Sequence, residues 1–215
     1  MLFDLDPSTL IAHVIVLLIA FPVHELAHAL TADYFGDTTP RMNGRLTLNP
    51  LAHLDPIGSL LLLVAGFGWA KPVPVNPYAL QRRSPSAYMW VSLSGPLSNL
   101  LMAVIAAIPF RLGIVSITAT QYDLMTRSER IFPTLPQILW VFVSVNLLLM
   151  LFNLIPLPPL DGDAIAEYFM PPSWSRFMER IRPFGPIILM AIVFLGVLRW
   201  IIYPPLSLLM NLLLG

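Results

Sequence analysis

The stretch SAYMWVSLSGPLSNLLMAVIAAIPF, residues 86–110, holds no charged side chain, and it is one of several long apolar runs. These runs constrain the fold more than any other feature, because a helix that is apolar all round has no face to offer water. Across the 215 residues, 57% are hydrophobic and 11% charged, and the mean hydropathy is +0.76. A soluble domain carries about a quarter charged residues, so most of this surface has lipid as its solvent. The length suits a single domain. Twelve basic residues balance twelve acidic ones, and nothing points to a nucleic-acid partner. With no cysteine there is neither a disulfide framework nor a thiolate metal site. The first apolar run follows Asp4 and Asp6 rather than a basic segment, so it is not expected to be a signal peptide.

The runs resolve into spans. Asp6 and Pro7 open a first helix that is expected to reach Phe35, where Gly36 stops it. Its length of about 42 Å at 1.5 Å per residue crosses a bilayer with tilt. GRLTLNP, residues 44–50, alternates polar and apolar like a short strand. Residues 57–68, IGSLLLLVAGFG, are too short to span and fit a re-entrant or interfacial piece. KPVPVNP, residues 71–77, is extended because its prolines exclude helix. Further spans are expected at 86–110, at 135–155 and at 184–203, with an apolar tail after Pro204 and Pro205. The fold class is therefore an all-α polytopic membrane protein. It has about four transmembrane helices, a short re-entrant or interfacial apolar segment and a small membrane-associated β element. One membrane domain covers 1–215, with a core at 8–165 and a C-terminal helical segment at 184–215.

Inside the first helix lies FPVHELAHAL. His24, Glu25 and His28 form H-E-x-x-H, and positions i and i+4 share one helix face, so both imidazoles reach one metal ion. Glu25 stands where it can take a proton from the attacking water. Zinc suits nitrogen and oxygen ligands and needs no redox chemistry. In a soluble chain this motif is often accidental. In a membrane, ionisable groups cost at least a few kcal/mol each and are functional candidates by default. A catalytic zinc takes three protein ligands and keeps one position open. The candidates for the third are His13, His53, Asp55, Asp161, Asp163 and Glu167. His13 lies about three turns before His24, too far along the same helix. Asp161 is best placed, directly after the span at 135–155, where prolines free the backbone from the helix. Its alternative role is to cap a short helix starting near Gly162.

HELAH together with FNLIPLPPLDG, residues 152–162, resembles the site-2 protease family of intramembrane zinc metalloproteases. SGPLSN, residues 94–99, is similar to a further signature of that family. The resemblance runs from about residue 8 to 205 and is to the compact members, without PDZ or CBS domains. It implies that His24, His28 and Asp161 hold one Zn2+ per chain, that Glu25 is the general base, and that Asn153 sits near the zinc and steadies the developing oxyanion. An interhelical hydrogen bond is the alternative role for Asn153. Asn99 is read as an interhelical polar contact, with Gly95 allowing close approach. Asn76 and its KPVPVNP stretch either bind the substrate backbone or serve as a connecting loop.

The implied activity is hydrolysis of peptide bonds within or next to transmembrane segments. A helix hides its carbonyls in internal hydrogen bonds, so the substrate must unwind first. The unwound segment could pair with an edge strand from GRLTLNP or KPVPVNP. The expected partners are the lipid bilayer and a membrane-protein substrate, either a single-span protein or a signal-peptide remnant. If residues 57–68 re-enter, segments 41–83 and 162–184 share one side. That side carries Arg41, Arg45, Lys71, Arg82, Arg83, Arg176, Arg180 and Arg182, against Arg111, Arg127, Arg130 and Arg199 on the other. The positive-inside rule makes the first side cytoplasmic. The expected location is the cell's inner membrane with the active site toward the cytoplasm. A zinc- or proton-coupled transporter is the alternative; it accounts for the ligands but not for Glu25 beside them.

Overall fold

The computed structural model describes residues 6–55, Gly58, 70–125 and 131–215. The helices are α1 (Pro7–Tyr34), α2 (Thr39–Met42), α3 (Pro50–His53), α4 (Pro77–Arg83), α5 (Ala87–Arg111), α6 (Ile117–Met125), α7 (Leu135–Asn153), α8 (Asp161–Phe169), α9 (Pro172–Ile181), α10 (Gly185–Phe194) and α11 (Val197–Leu214). Asp6 caps α1, its carboxylate accepting the Thr9 N–H at 3.0 Å, and Pro7 fills the first helical position. Phe35 closes α1, and Gly36 at φ 86° turns the chain away. Four helices, α1, α5, α7 and α11, are long and apolar enough to cross a bilayer.

The centre of the bundle is α5, which packs on α1, α7 and α8. Its Gly95, Asn99, Ala103 and Ala107 recur every fourth residue, and the last three are 0–2% exposed. Small side chains in a row let neighbouring helices close in where lipid supplies no hydrophobic drive. Ala103 and Ala107 meet Val143 and Leu147 of α7, and Ala12 and Val16 of α1 meet Val141 and Val145. Ala32, near the end of α1, clusters with Ala87 and Val91 at the start of α5, so the two helices run antiparallel. Phe110 stacks edge-on against Trp140, so α5 and α7 are antiparallel too. Gln137, at the start of α7, donates to Ser8 and Thr9 at the start of α1.

Two expectations need correction. The described residues hold no sheet, so the small β element is absent. One antiparallel bridge joins Leu54 to Ala70. GRLTLNP is a loop that delivers Asn49 to cap α3, where its side chain accepts the Leu51 N–H at 3.1 Å. Buried Arg45 from that loop donates to the carbonyls of Ala52 and Lys71, acceptors that a ladder would need. Residues 71–76 form neither helix nor strand, and Pro72, Pro74 and Pro77 have no N–H to offer a partner strand. The last span also moves. Gly196 at φ 71° ends α10, which at 10 residues is about 15 Å long and too short to cross. The spanning helix is instead α11, which runs on through Pro204 and Pro205. Prolines inside a membrane helix are tolerated where surrounding groups satisfy the freed carbonyls. Apart from Gly58, the apolar piece at 57–68 lies outside the described residues.

Candidate metal centre

His24, Glu25 and His28 lie in the buried face of α1, each 6–8% exposed. One helical turn separates the two imidazoles, which meet edge to face with 4.6 Å between ring centres. Their Nε2 atoms are 3.0 Å apart. Asp161 arrives from α8, its carboxylate oxygens 3.3 Å from His24 Nε2 and 3.4 Å from His28 Nε2. The ligand atoms of all three residues lie within 4.8 Å of one another.

The chain reaches this point by an abrupt stop and restart. After α7 ends, residues 154–160 turn back, and α8 begins against the carbonyls of Leu154 and Ile155. A Cβ at Gly162 would collide with those carbonyls, which is why the LDG segment needs glycine. A short helix does start here, but Leu160 occupies its cap position and Asp161 is its first residue. The Asp161 carboxylate is thus free to turn toward the imidazoles. Asp163, two residues on, is taken by Arg182 at 2.9 Å, and Glu167 reaches the same guanidinium at 3.3 Å. Burial works against that charge, yet these two carboxylates hold Arg182 above its ordinary pKa. His13 bonds the Thr9 carbonyl, His53 the Thr47 carbonyl, and Asp55 accepts the Gly58 N–H. Of the six candidates, Asp161 alone joins His24 and His28 in the described residues.

The donor set fits zinc. His28 Nδ1 lies 2.7 Å from the Val91 carbonyl and His24 Nδ1 lies 2.6 Å from Asn99 Oδ1. Both partners can only accept, so each ring donates from Nδ1 and, when neutral, turns an Nε2 lone pair inward. Asp161 Oδ2 is buried with no hydrogen-bond partner. In the neutral rings two lone pairs and a carboxylate thus converge on one point, an arrangement that a cation satisfies. Ligands 2.0–2.1 Å from a tetrahedral zinc stand about 3.3 Å from each other, close to the separations of 3.0, 3.3 and 3.4 Å found here.

Other side chains around the centre sort differently. Glu25 Oε2 accepts the Val73 N–H at 3.2 Å, which ties the stretch 71–76 to the motif helix. Asn153 donates to the Leu149 carbonyl of its own helix at 3.0 Å. Asn76 caps α4 through its side chain, while its N–H goes to Asp37 at 2.6 Å. Gly95 serves the histidines more than the helix backbones: a Cβ there would lie 2.5 Å from His28 Nε2 and 2.6 Å from His24 Cε1. Sequence reasoning missed Asn146, which accepts from Asn99 at 2.9 Å. Its signal was an amide in the middle of an apolar helix, which demands a polar partner.

Comparison with known proteins agrees with this geometry. The model for Peptidase family M50 matches residues 12–196. The chain is 41% identical over 194 residues to "Putative zinc metalloprotease YwhC" of Bacillus subtilis, covering 90% of this chain and 85% of that one. Proteins named "Putative zinc metalloprotease Rip2" also match. The one from Mycobacterium tuberculosis H37Rv is 27% identical, covering 86% of this chain and 70% of its own. The one from Mycolicibacterium smegmatis is 30% identical, covering 85% and 67%. No solved structure matches the chain. The family match takes in the motif helix, α5, α7, α8 and α9, and the chain belongs to peptidase family M50, the site-2 protease family of intramembrane zinc peptidases.

Proposed function

We propose that this intramembrane zinc peptidase holds one zinc ion between His24, His28 and Asp161 and cuts peptide bonds within or next to the transmembrane segments of other membrane proteins. The observation that carries the reading is the convergence of two imidazole Nε2 atoms and a carboxylate whose Oδ2 is buried without a hydrogen-bond partner. Zinc, when bound, polarises the scissile carbonyl and acidifies the attacking water. Glu25 accepts the proton of that water and passes it to the leaving amine, so no acyl-enzyme forms. The Val73 N–H orients the Glu25 carboxylate for this. Asn153 spends one N–H on Leu149 and offers the second to the developing oxyanion. The side chain of Asn76 is occupied as a helix cap, so any substrate contact from 71–76 comes from its backbone. Membership in a peptidase family disfavours the transporter alternative.

The whole chain acts as one membrane domain, 1–215, with its core at 8–165 and the helical segment 184–215 beside it. Its substrates are single-span proteins or signal-peptide remnants. The site faces the cytoplasm from the inner membrane. Two features support that topology. The end of α1 meets the start of α5, and Leu54 pairs with Ala70, so the described chain on either side of 57–68 returns to the level it left. The basic residues concentrate on that side. The test is co-expression with candidate single-span proteins. Glu25→Gln is expected to keep near-stoichiometric zinc and release no product, whereas His24→Ala, His28→Ala and Asp161→Ala lose zinc as well. Cleavage at the wild-type rate by Glu25→Gln would refute the general-base role.

A further inference from the structure

We propose that Asn146 is a positioning residue for the metal centre: acting through Asn99, it holds His24 in the tautomer whose Nε2 lone pair faces His28 and Asp161. The inference rests on the reading of those three residues as a zinc site. It starts from a line of hydrogen bonds that crosses three helices. On α7, Asn146 Nδ2 donates to the Phe142 carbonyl at 2.8 Å. That carbonyl can only accept, so it fixes which end of the Asn146 amide faces it. Asn146 Oδ1 is thereby turned to α5, where it accepts Asn99 Nδ2 at 2.9 Å. Asn99 Oδ1 is left for His24 on α1, 2.6 Å from Nδ1. The direction is set at the backbone anchor, and each amide hands it on.

Both asparagines are 0% exposed, so no bulk water competes for these bonds. His28 needs no such relay, because its Nδ1 donates directly to the Val91 carbonyl at 2.7 Å. One ligand is oriented by fixed backbone, the other by side chains able to turn over. If the Asn99 amide turned, its N–H would face His24 Nδ1. The ring would then carry its proton on Nε2, aimed at the lone pair of His28 and at the position a metal would take. Asn146 excludes that state.

The experiment is zinc affinity of the detergent-purified protein, measured by competition with a chromophoric chelator, beside the melting temperature. Asn146→Leu removes the anchor and is expected to weaken zinc binding ten- to a hundredfold, the usual effect of losing a partner that orients a metal-ligating histidine. Asn146→Asp still accepts from Asn99 and is expected to hold zinc near wild-type affinity, although a carboxyl against the Phe142 carbonyl lowers the melting temperature. In an Asn99→Asp background there is no amide to turn, so adding Asn146→Leu should bring no further loss of zinc. The proposal is overturned if Asn146→Leu binds zinc like the wild type, if its loss is as large in the Asn99→Asp background, or if affinity simply tracks melting temperature across the variants. Should Asn146→Leu not fold, loss of zinc in Asn146→Asp overturns it equally. A wild-type protein that takes up no zinc refutes the metal-centre reading instead.

Discussion

Asn153 has a structural bond and a proposed chemical role. It is half-buried at the end of α7, with one amide hydrogen bonded to Leu149. If its second N–H meets charge that develops only in the transition state, Asn153→Ala should lower kcat by roughly 10- to 1,000-fold and leave zinc content and substrate binding nearly unchanged. Single-turnover kinetics beside metal analysis would decide. Normal turnover with a lowered melting temperature would assign the side chain to helix packing alone. Asp161 teaches the complementary lesson. Three prolines and a glycine around it announced a break in helix, but not whether the aspartate would cap α8 or stand free.

Among the elements, α5 carries the most consequence. Its small-residue row brings α1 and α7 close, and within that row Gly95 leaves room for both imidazoles. Alanine favours helix over glycine by about 1 kcal/mol, so Gly95→Ala should leave α5 intact. The added Cβ nevertheless falls 2.5 Å from the His28 ring, and both rings are tethered at Nδ1 to groups on α5 itself. Zinc affinity is therefore expected to drop while thermal stability without metal holds or rises. Full zinc occupancy with wild-type affinity in Gly95→Ala would show that the rings move aside freely. At α4, the asparagine of the KPVPVNP stretch proved to be a cap. An Asn-Pro pair is a helix-start signal as much as a substrate-contact signal.

For the molecule as a whole, the proposed function makes the depth of the site the control on what it cuts. The proposed ligands sit on α1 and α8, among helices long and apolar enough to cross a membrane. A peptide bond in a helical substrate is shielded there, so the scissile segment must be weak as a helix. Glycine or proline near the bond lowers the cost of unwinding by about 1–3 kcal/mol relative to alanine or leucine. Cleavage is expected in the cytoplasmic half of a substrate's span, and replacing helix-weakening residues there by leucine should slow it. Mass spectrometry of the product ends would locate the cut. A cut in the far leaflet, or rates indifferent to such substitutions, would refute this account.

The sequence by itself determined the membrane class, three of the four spans and the H-E-x-x-H face, because hydropathy and helical spacing are local properties written in consecutive residues. It also singled out Asp161 as the best-placed third ligand, since prolines there free the backbone from the helix, while it left helix capping open. The fourth span was misplaced: prolines read as breakers on paper are carried inside α11, while a glycine at φ 71° supplies the real break. The β element failed for a similar reason, since alternation in GRLTLNP describes a strand only if a neighbour has free N–H groups to pair with. Tertiary structure alone decided how Asp161 meets the imidazoles from 133 residues beyond His28, and how Asn146 meets Asn99. Those contacts join residues far apart in sequence, and their geometry depends on helix crossings that no local pattern encodes.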